Sequence, residues 1–253
     1  MFDYASWACG ATLTGAELIL SGETDIAFNP SGGYHHARAE MASGFCYLND
    51  LVLACMRFLN NDKRVLYLDI DAHHGDGVQE AFYASNQVMA ISLHESGKTL
   101  WPGTGFENEI GDGPGKGFTV NVPSPIGICD AAYIEVFTEI VIPLIKAYDP
   151  DIFVLQTGMD ALAADAIAHL ELTNNAPAEI IDRLLRFNKP LLATGGGGYH
   201  KDIEIHAGGN RPLGSIYFLK ENRFLLHCHR NIGLLPGKYK ISGVSYADLR
   251  ISM

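Results

Sequence analysis

Cysteine is scarce and scattered. The five residues Cys9, Cys46, Cys55, Cys129 and Cys228 include no C-x-x-C pair, which excludes the common zinc-ribbon and dithiol motifs and leaves buried reduced thiols as the expectation. No apolar run reaches the roughly 18 residues of a membrane span, and no basic-then-apolar signal pattern opens the chain, so a cytoplasmic protein with no membrane partner is expected. Cations are also short: 18 Lys and Arg against 29 Asp and Glu give a net charge of −11. That balance excludes a broad phosphate-binding surface and direct nucleic-acid binding. An acidic rim suits a cationic substrate such as a lysine-containing peptide or a polyamine, although acidity also serves plain solubility. Nucleotide motifs are missing too. Gly195–Gly198 is followed by no P-loop lysine and is not a G-x-G-x-x-G turn.

What is present reads as α/β. The 253 residues, 47% of them hydrophobic and 19% charged, suffice for a large core. Short apolar runs at Asp25–Phe28, Val65–Ile70, Val88–Leu93, Phe118–Val122, Ile152–Gln156 and Pro190–Thr194 are nearly continuous, as parallel strands covered on both faces require. Helical patterns lie between them. Thr14 and Glu17 form a capping box before Leu18, with Gly22 placed to stop the helix. Phe45, Leu48, Val52, Cys55 and Leu59 keep a helical stripe. Asp130 caps a helix through Tyr148 that Pro143 kinks, and Pro177 opens another through Phe187. The expected architecture is a doubly wound α/β sheet.

In such sheets chemistry collects beyond the carboxyl ends of the strands. Five strand ends here lead into Gly32-Gly33-Tyr34-His35-His36, Asp69 through Asp76, Ser92-Leu93-His94, Gly158-Met159-Asp160, and Gly195 through His200. Residues two apart on extended chain point the same way, so Asp69, Asp71 and His73 face one site. Two carboxylates and an imidazole suit Zn²⁺ or Fe²⁺, and a surface-charge reading is weakened by the buried strand that precedes them. Asp160 is the natural distant third ligand. The paired imidazoles of His35 and His36 can serve a metal-activated water as base and acid, with Asp69 and Asp76 left to orient them. Four glycines let the backbone close in and place Tyr199 over the metal, where its hydroxyl can donate to an oxyanion.

These blocks together resemble the histone deacetylase and acetoin-utilization family. Gly32 through Ala37 with Ser43 through Asp50 is similar to its twin-histidine block, Asp69 through Val78 to its metal strand, Pro102-Gly103-Thr104-Gly105 to its active-site loop, and Gly195 through Tyr199 to its glycine-tyrosine block. The likeness runs from about residue 12 to 204, in family order, and is nearest the class I and acetoin branch. It implies a zinc-dependent deacetylase in a three-layer, mostly parallel arginase/deacetylase-like sheet, acting on acetyl-lysine or a small acetylated amine. Asp71, His73 and Asp160 would ligate zinc. His36 would be the main base and acid and His35 its electrostatic aid, with Asp69 bonded to His35 and Asp76 to His36. Tyr199 would polarise the acetyl carbonyl, Phe45 and Trp101 would wall the substrate channel, and the Gly44 carbonyl would lie near the substrate amide. A structural potassium ion is implied at Asp69, Ser92 and the carbonyls of Asp71, His73 and Leu93.

The sequence departs from the family in three places. Its first strands and two active-site loops have no counterpart here, so the sheet is expected to lack them. Ala164-Asp165-Ala166 stands in place of Gly-Asp-Pro. Residues 205–253 form a divergent tail of +5 on a body of −16, although one domain over 1–253 is expected. Apolar Ile216–Leu219 and Phe224–Leu226 could let that tail cover an exposed edge, and His227-Cys228-His229 is a weak metal motif because adjacent side chains diverge. Two rival readings stand beside the deacetylase: a binuclear arginase-like hydrolase, and a catalytically impaired fragment or binding module.

Overall fold

The computed structural model describes residues 2–200. The tail readings, from Ile216 to His229, therefore lie outside the described residues. Within them, six strands form one fully parallel sheet in the order β1-β6-β5-β2-β3-β4. The strands are β1 (Ile26–Asn29), β2 (Val65–Asp69), β3 (Val88–Glu95), β4 (Thr119–Ser124), β5 (Ile152–Gln156) and β6 (Leu191–Thr194). All six match the apolar runs read from sequence, with ends moved by a residue or two.

Alternation along the strands feeds two cores. Leu66 and Leu68 of β2 point to one face and join Phe153, Leu155, Tyr133, Phe137, Ile145 and Ile180. Val65 and Tyr67 point to the other and pack with Leu51, Phe58, Val78 and Ile19. The first core is closed by α4 (Asp130–Val136), α5 (Ile142–Tyr148) and α6 (Asn175–Leu185). The second is closed by α1 (Phe2–Leu20), α2 (Asp50–Leu59) and α3 (Asp76–Phe82). Helices on both faces of a parallel sheet make the three layers expected.

Three helical expectations are corrected. Helix α1 starts at Phe2 and runs straight through Thr14, whose hydroxyl donates back to the Gly10 carbonyl at 2.8 Å instead of capping. Thr14 lies well inside a helix, so no free N–H awaits it. Gly22 does end this helix region in the left-handed conformation at φ 75°. The stripe from Phe45 begins too early, because α2 starts at Asp50 behind an Asn49 cap that accepts from Val52 N at 3.0 Å. The third helix runs without a gap from Asp130 to Tyr148, and its α pattern gives way to a π turn over Phe137–Val141 just before Pro143. Asp130 does not cap it; its carboxylate accepts the Thr173 N–H and hydroxyl.

The strand order places the chemistry. From β2 the chain winds outward through β3 to β4, then crosses to β5 and winds the other way to β6. The switch therefore lies between β2 and β5, where loops diverge and open a crevice.

Candidate metal and catalytic centre

The crevice holds the residues the strand ends supply. Asp71 and His73 lie in the bend just past the end of β2, and Asp160 follows β5 in a short 3₁₀ turn (Met159–Ala161). Their ligand atoms lie within 4.8 Å of one another and all three residues are buried. The free lone pairs converge because the others are spoken for. Asp71 Oδ2 accepts from Gln156 Nε2 at 2.8 Å and from the Gly197 N–H at 3.2 Å, and Asp160 Oδ1 accepts from the Ala72 N–H at 2.9 Å. Glycine is required where the loops close. A Cβ on Gly158 would overlap the Asp71 carboxylate, and one on Gly197 would overlap that of Asp160.

The donor set fits a divalent cation. His73 Nδ1–H donates to Asp160 Oδ2 at 2.9 Å and to Asp71 Oδ1 at 3.2 Å, so a proton occupies the gap between two buried carboxylates. Burial disfavours that imidazolium, but its bonds to Asp160 and Asp71 raise His73 to about 10. Burial and the Asp71 charge raise Asp160 to about 7. Two buried carboxylates and an imidazole with ligand atoms within 4.8 Å of one another are a donor set that suits a divalent cation. Among the described residues this is the one cluster of three or more metal-ligating side chains, which gives no support to a binuclear site.

Both histidines stand beside the triad. His35 Nδ1–H donates to Asp69 Oδ2 at 2.7 Å, while its Nε2 lies 3.9 Å from Asp71. His36 Nδ1–H donates to Asp76 Oδ1 at 2.7 Å. A carboxylate can only accept, so both Nδ1 atoms carry hydrogen and both Nε2 atoms face away from the dyads. Burial lowers His35, but Asp69 and Asp71 outweigh it and hold the ring at about 9. Burial and the His35 charge bring His36 down to about 4. Two adjacent imidazoles, with ring centroids 3.9 Å apart, are thus split into a cation and a neutral base.

Local folding explains the placement. The Asp50 carboxylate, buried at the head of α2, accepts the N–H groups of Gly33 and Tyr34 and the Thr12 hydroxyl, which pins the loop before His35. Asn49 adds Nδ2 bonds to the carbonyls of His35 and Ala37. Trp101 stacks edge-on to His36 with centroids 4.6 Å apart, and Phe45 and Tyr199 face each other at 6.2 Å. A cavity of about 160 Å³ opens here, lined by Gly44, Phe45, His36, His73 and Tyr199. Its mouth is open: Phe45, Trp101 and Tyr199 are 76%, 48% and 42% exposed.

The histone deacetylase domain model matches residues 1–207 of this sequence. The chain belongs to the histone deacetylase family. It is 44% identical to histone deacetylase 9 of Arabidopsis thaliana over 80% of its own length and 47% of that protein's. It is 46% identical to histone deacetylase B of Dictyostelium discoideum over 79% and 47%, and 43% identical to histone deacetylase RPD3 of Saccharomyces cerevisiae over 79% and 46%. The chain thus spans about half the length of the curated relatives it matches. For a histone deacetylase family member, the three-layer parallel sheet is the architecture expected.

Of the residues implied for potassium, Asp69 and Ser92 are register partners on β2 and β3. Ser92 Oγ bonds His94 Nδ1 at 2.8 Å and the Leu93 carbonyl accepts the Tyr133 hydroxyl at 3.1 Å, and each oxygen keeps a lone pair. Sequence reasoning missed two supports. The Tyr67 hydroxyl donates to Asp69 Oδ2, and the alternation of β2 that aligned Asp69 with Asp71 could have shown it. Gln156, whose amide bonds Asp71, leaves no local signal. It ends β5 opposite Asp69, a pairing visible only once the strand order is known.

Proposed function

We propose that this chain is a zinc-dependent deacetylase that hydrolyses an acetyl-amide, either acetyl-lysine of a protein or a small acetylated amine. The observation that carries the reading is the convergence of Asp71, His73 and Asp160 beside two His–Asp dyads at the floor of one open cleft. Asp71, His73 and Asp160 would hold a zinc ion, which would supply Lewis acidity and lower the pKa of water toward about 7. The protein's own residues supply the rest. Neutral His36 takes the proton of the attacking water and returns it to the leaving amine, oriented throughout by Asp76. Arg38 shares Asp76 at 2.9 Å, which keeps that carboxylate ionised and unable to take the proton itself. His35 stays bound to Asp69 and contributes charge. The Tyr199 phenol, raised by burial, remains a hydrogen donor and faces the developing oxyanion. Phe45 and Trp101 grip the alkyl stem, with the Gly44 carbonyl near the amide. A structural potassium ion beside Asp69, Ser92 and Leu93, and a cytoplasmic location, belong to the same reading and rest on the sequence.

The test is turnover of an acetyl-lysine peptide, an acetylpolyamine and a small acetyl-amide by purified protein, with and without chelator, alongside metal analysis. One zinc or iron per chain with chelator-sensitive acetate release is expected. Bound metal without release from any substrate would favour the impaired-module reading.

A further inference from the structure

A second polar cluster lies behind the cleft and touches none of its proposed reacting groups. Glu109 is its hub. One carboxylate oxygen accepts the backbone N–H groups of Gly105 and Phe106, both at 3.0 Å, and the other accepts Gln79 Nε2 at 2.6 Å. With its amide nitrogen committed to Glu109, Gln79 turns its oxygen to Asn121 Nδ2 at 2.7 Å and His74 Nε2 at 3.0 Å. His74 Nε2 therefore carries the hydrogen, and its Nδ1 accepts from the Thr104 hydroxyl at 2.8 Å. His94 Nε2–H donates to the Gly105 carbonyl at 2.9 Å. Thr104, Gly105 and Phe106 are thus each fixed from below, and Gly105 lies so close that a Cβ there would overlap both imidazoles.

This loop begins at Trp101, whose ring bounds His36 and whose tip a Cβ on Gly44 would meet at 2.7 Å. Trp101 is half-exposed and touches the cleft from the solvent side. Its ring contacts are with His36 and His73. Its backbone is tied on both sides: Leu100 N–H donates to the Ser96 carbonyl and Gly103 N–H to that of Leu100, while Thr104 to Phe106 are fixed from below. We propose that Glu109 and Gln79, through His74 and Thr104, are positioning residues that hold Trp101 as the wall of the substrate channel. They reach neither substrate nor metal. The assignment rests on the reading of the cleft as a deacetylase site for its kinetic consequence, and on geometry alone for the position of Trp101.

The chemistry of the pair provides the test. In Glu109→Gln the new amide nitrogen faces the Gln79 nitrogen, donor against donor, and turning Gln79 over moves the clash to Asn121. In Gln79→Glu two carboxylates face each other. In the double exchange, the amide introduced at position 109 keeps the backbone N–H groups on its oxygen and donates to the carboxylate introduced at position 79. That carboxylate still accepts from His74 and Asn121, so every bond is restored. The protein has two tryptophans, and Trp7 is 80% exposed, so a Trp7→Phe background isolates the emission of Trp101. Each single exchange is expected to raise KM about tenfold with little change in kcat and no change in metal content, with Trp101 emission altered. The double exchange is expected to return both readouts to the parent values. Thr104→Val, a near-isosteric change, is expected to move them the same way by less, and it keeps the test available if a single exchange fails to fold. Parent-like KM and emission in the singles and in Thr104→Val, or a double exchange no better than the singles, would overturn the assignment. A parent protein without turnover would sink the deacetylase reading instead, and the emission series would still decide the positioning.

Discussion

The roles proposed for Tyr199 and Asp160 can be separated by single substitutions. Tyr199→Phe removes one donor from the cleft and no ligand of the triad, so kcat should fall by roughly 10²–10³ with metal content unchanged. Asp160→Ala removes a ligand, and both metal and turnover should be lost; one ion per chain retained by this variant would remove Asp160 from the metal site. Gly158→Ala is a sharper probe because it leaves all three ligands in the sequence. Its methyl group would overlap the Asp71 carboxylate, so metal affinity should drop at least about tenfold, read by competition with a chromophoric chelator. Proton balance gives a further check. In the metal-free chain His73 holds a proton up to about pH 10, and that proton must leave before the nitrogen can ligate. Binding at about pH 7–8 should therefore release protons and tighten as pH rises toward about 10, which calorimetry in buffers of different ionisation enthalpy would detect.

At the scale of elements, the junction between the twin-histidine loop and α2 carries two jobs on one residue. Asn49 caps the helix through its oxygen and holds the carbonyls of His35 and Ala37 through its nitrogen. Asn49→Ser keeps a capping hydroxyl but cannot reach both carbonyls, whereas Asn49→Ala loses both functions. The Ala variant should lose about 1 kcal/mol of stability and the Ser variant less. Both should lose turnover, as thermal melts and acetate release would show. Strands and their ends were legible because a buried parallel strand needs a continuous apolar run, and the D-x-D-x-H pattern marked the right strand end although Asp71 and His73 lie in bends past β2. The helices were less so. A capping box at Thr14 means nothing once the helix has begun at Phe2, and the π turn at Phe137–Val141 showed in the sequence only as the Pro143 that follows it. Phe45, read as part of a helical stripe, sits at φ 62° and opens to solvent. The Glu109–Gln79–His74 chain joins residues 30 and 5 positions apart, and side-chain pairing across such distances has no periodicity to announce it.

Across the whole molecule, the described sheet has two edges of different character. At one, β1 pairs only with β6, and its residues Ile26 to Phe28 are half-buried. Beside it α1 exposes Phe2, Tyr4 and Trp7 at 63–80%. A strand with one edge open among the described residues, beside a helix that exposes three aromatics, favours association. The protein should elute above its monomer mass at micromolar concentration, and Trp7→Glu should shift it toward monomer; identical elution of both would remove this face from consideration.

The switch between β2 and β5 has a consequence for assembly itself. His73 and Asp160 are 87 residues apart in sequence, so the proposed cation site would not exist in the unfolded chain and would close only when the two windings of the sheet meet. An ion bound there would act as a staple across the midline of the sheet, and its binding free energy would become folding free energy. Cells short of the metal would then hold less folded protein, and not merely an idle form of it: supply of a trace nutrient would set abundance through turnover of the unstapled chain.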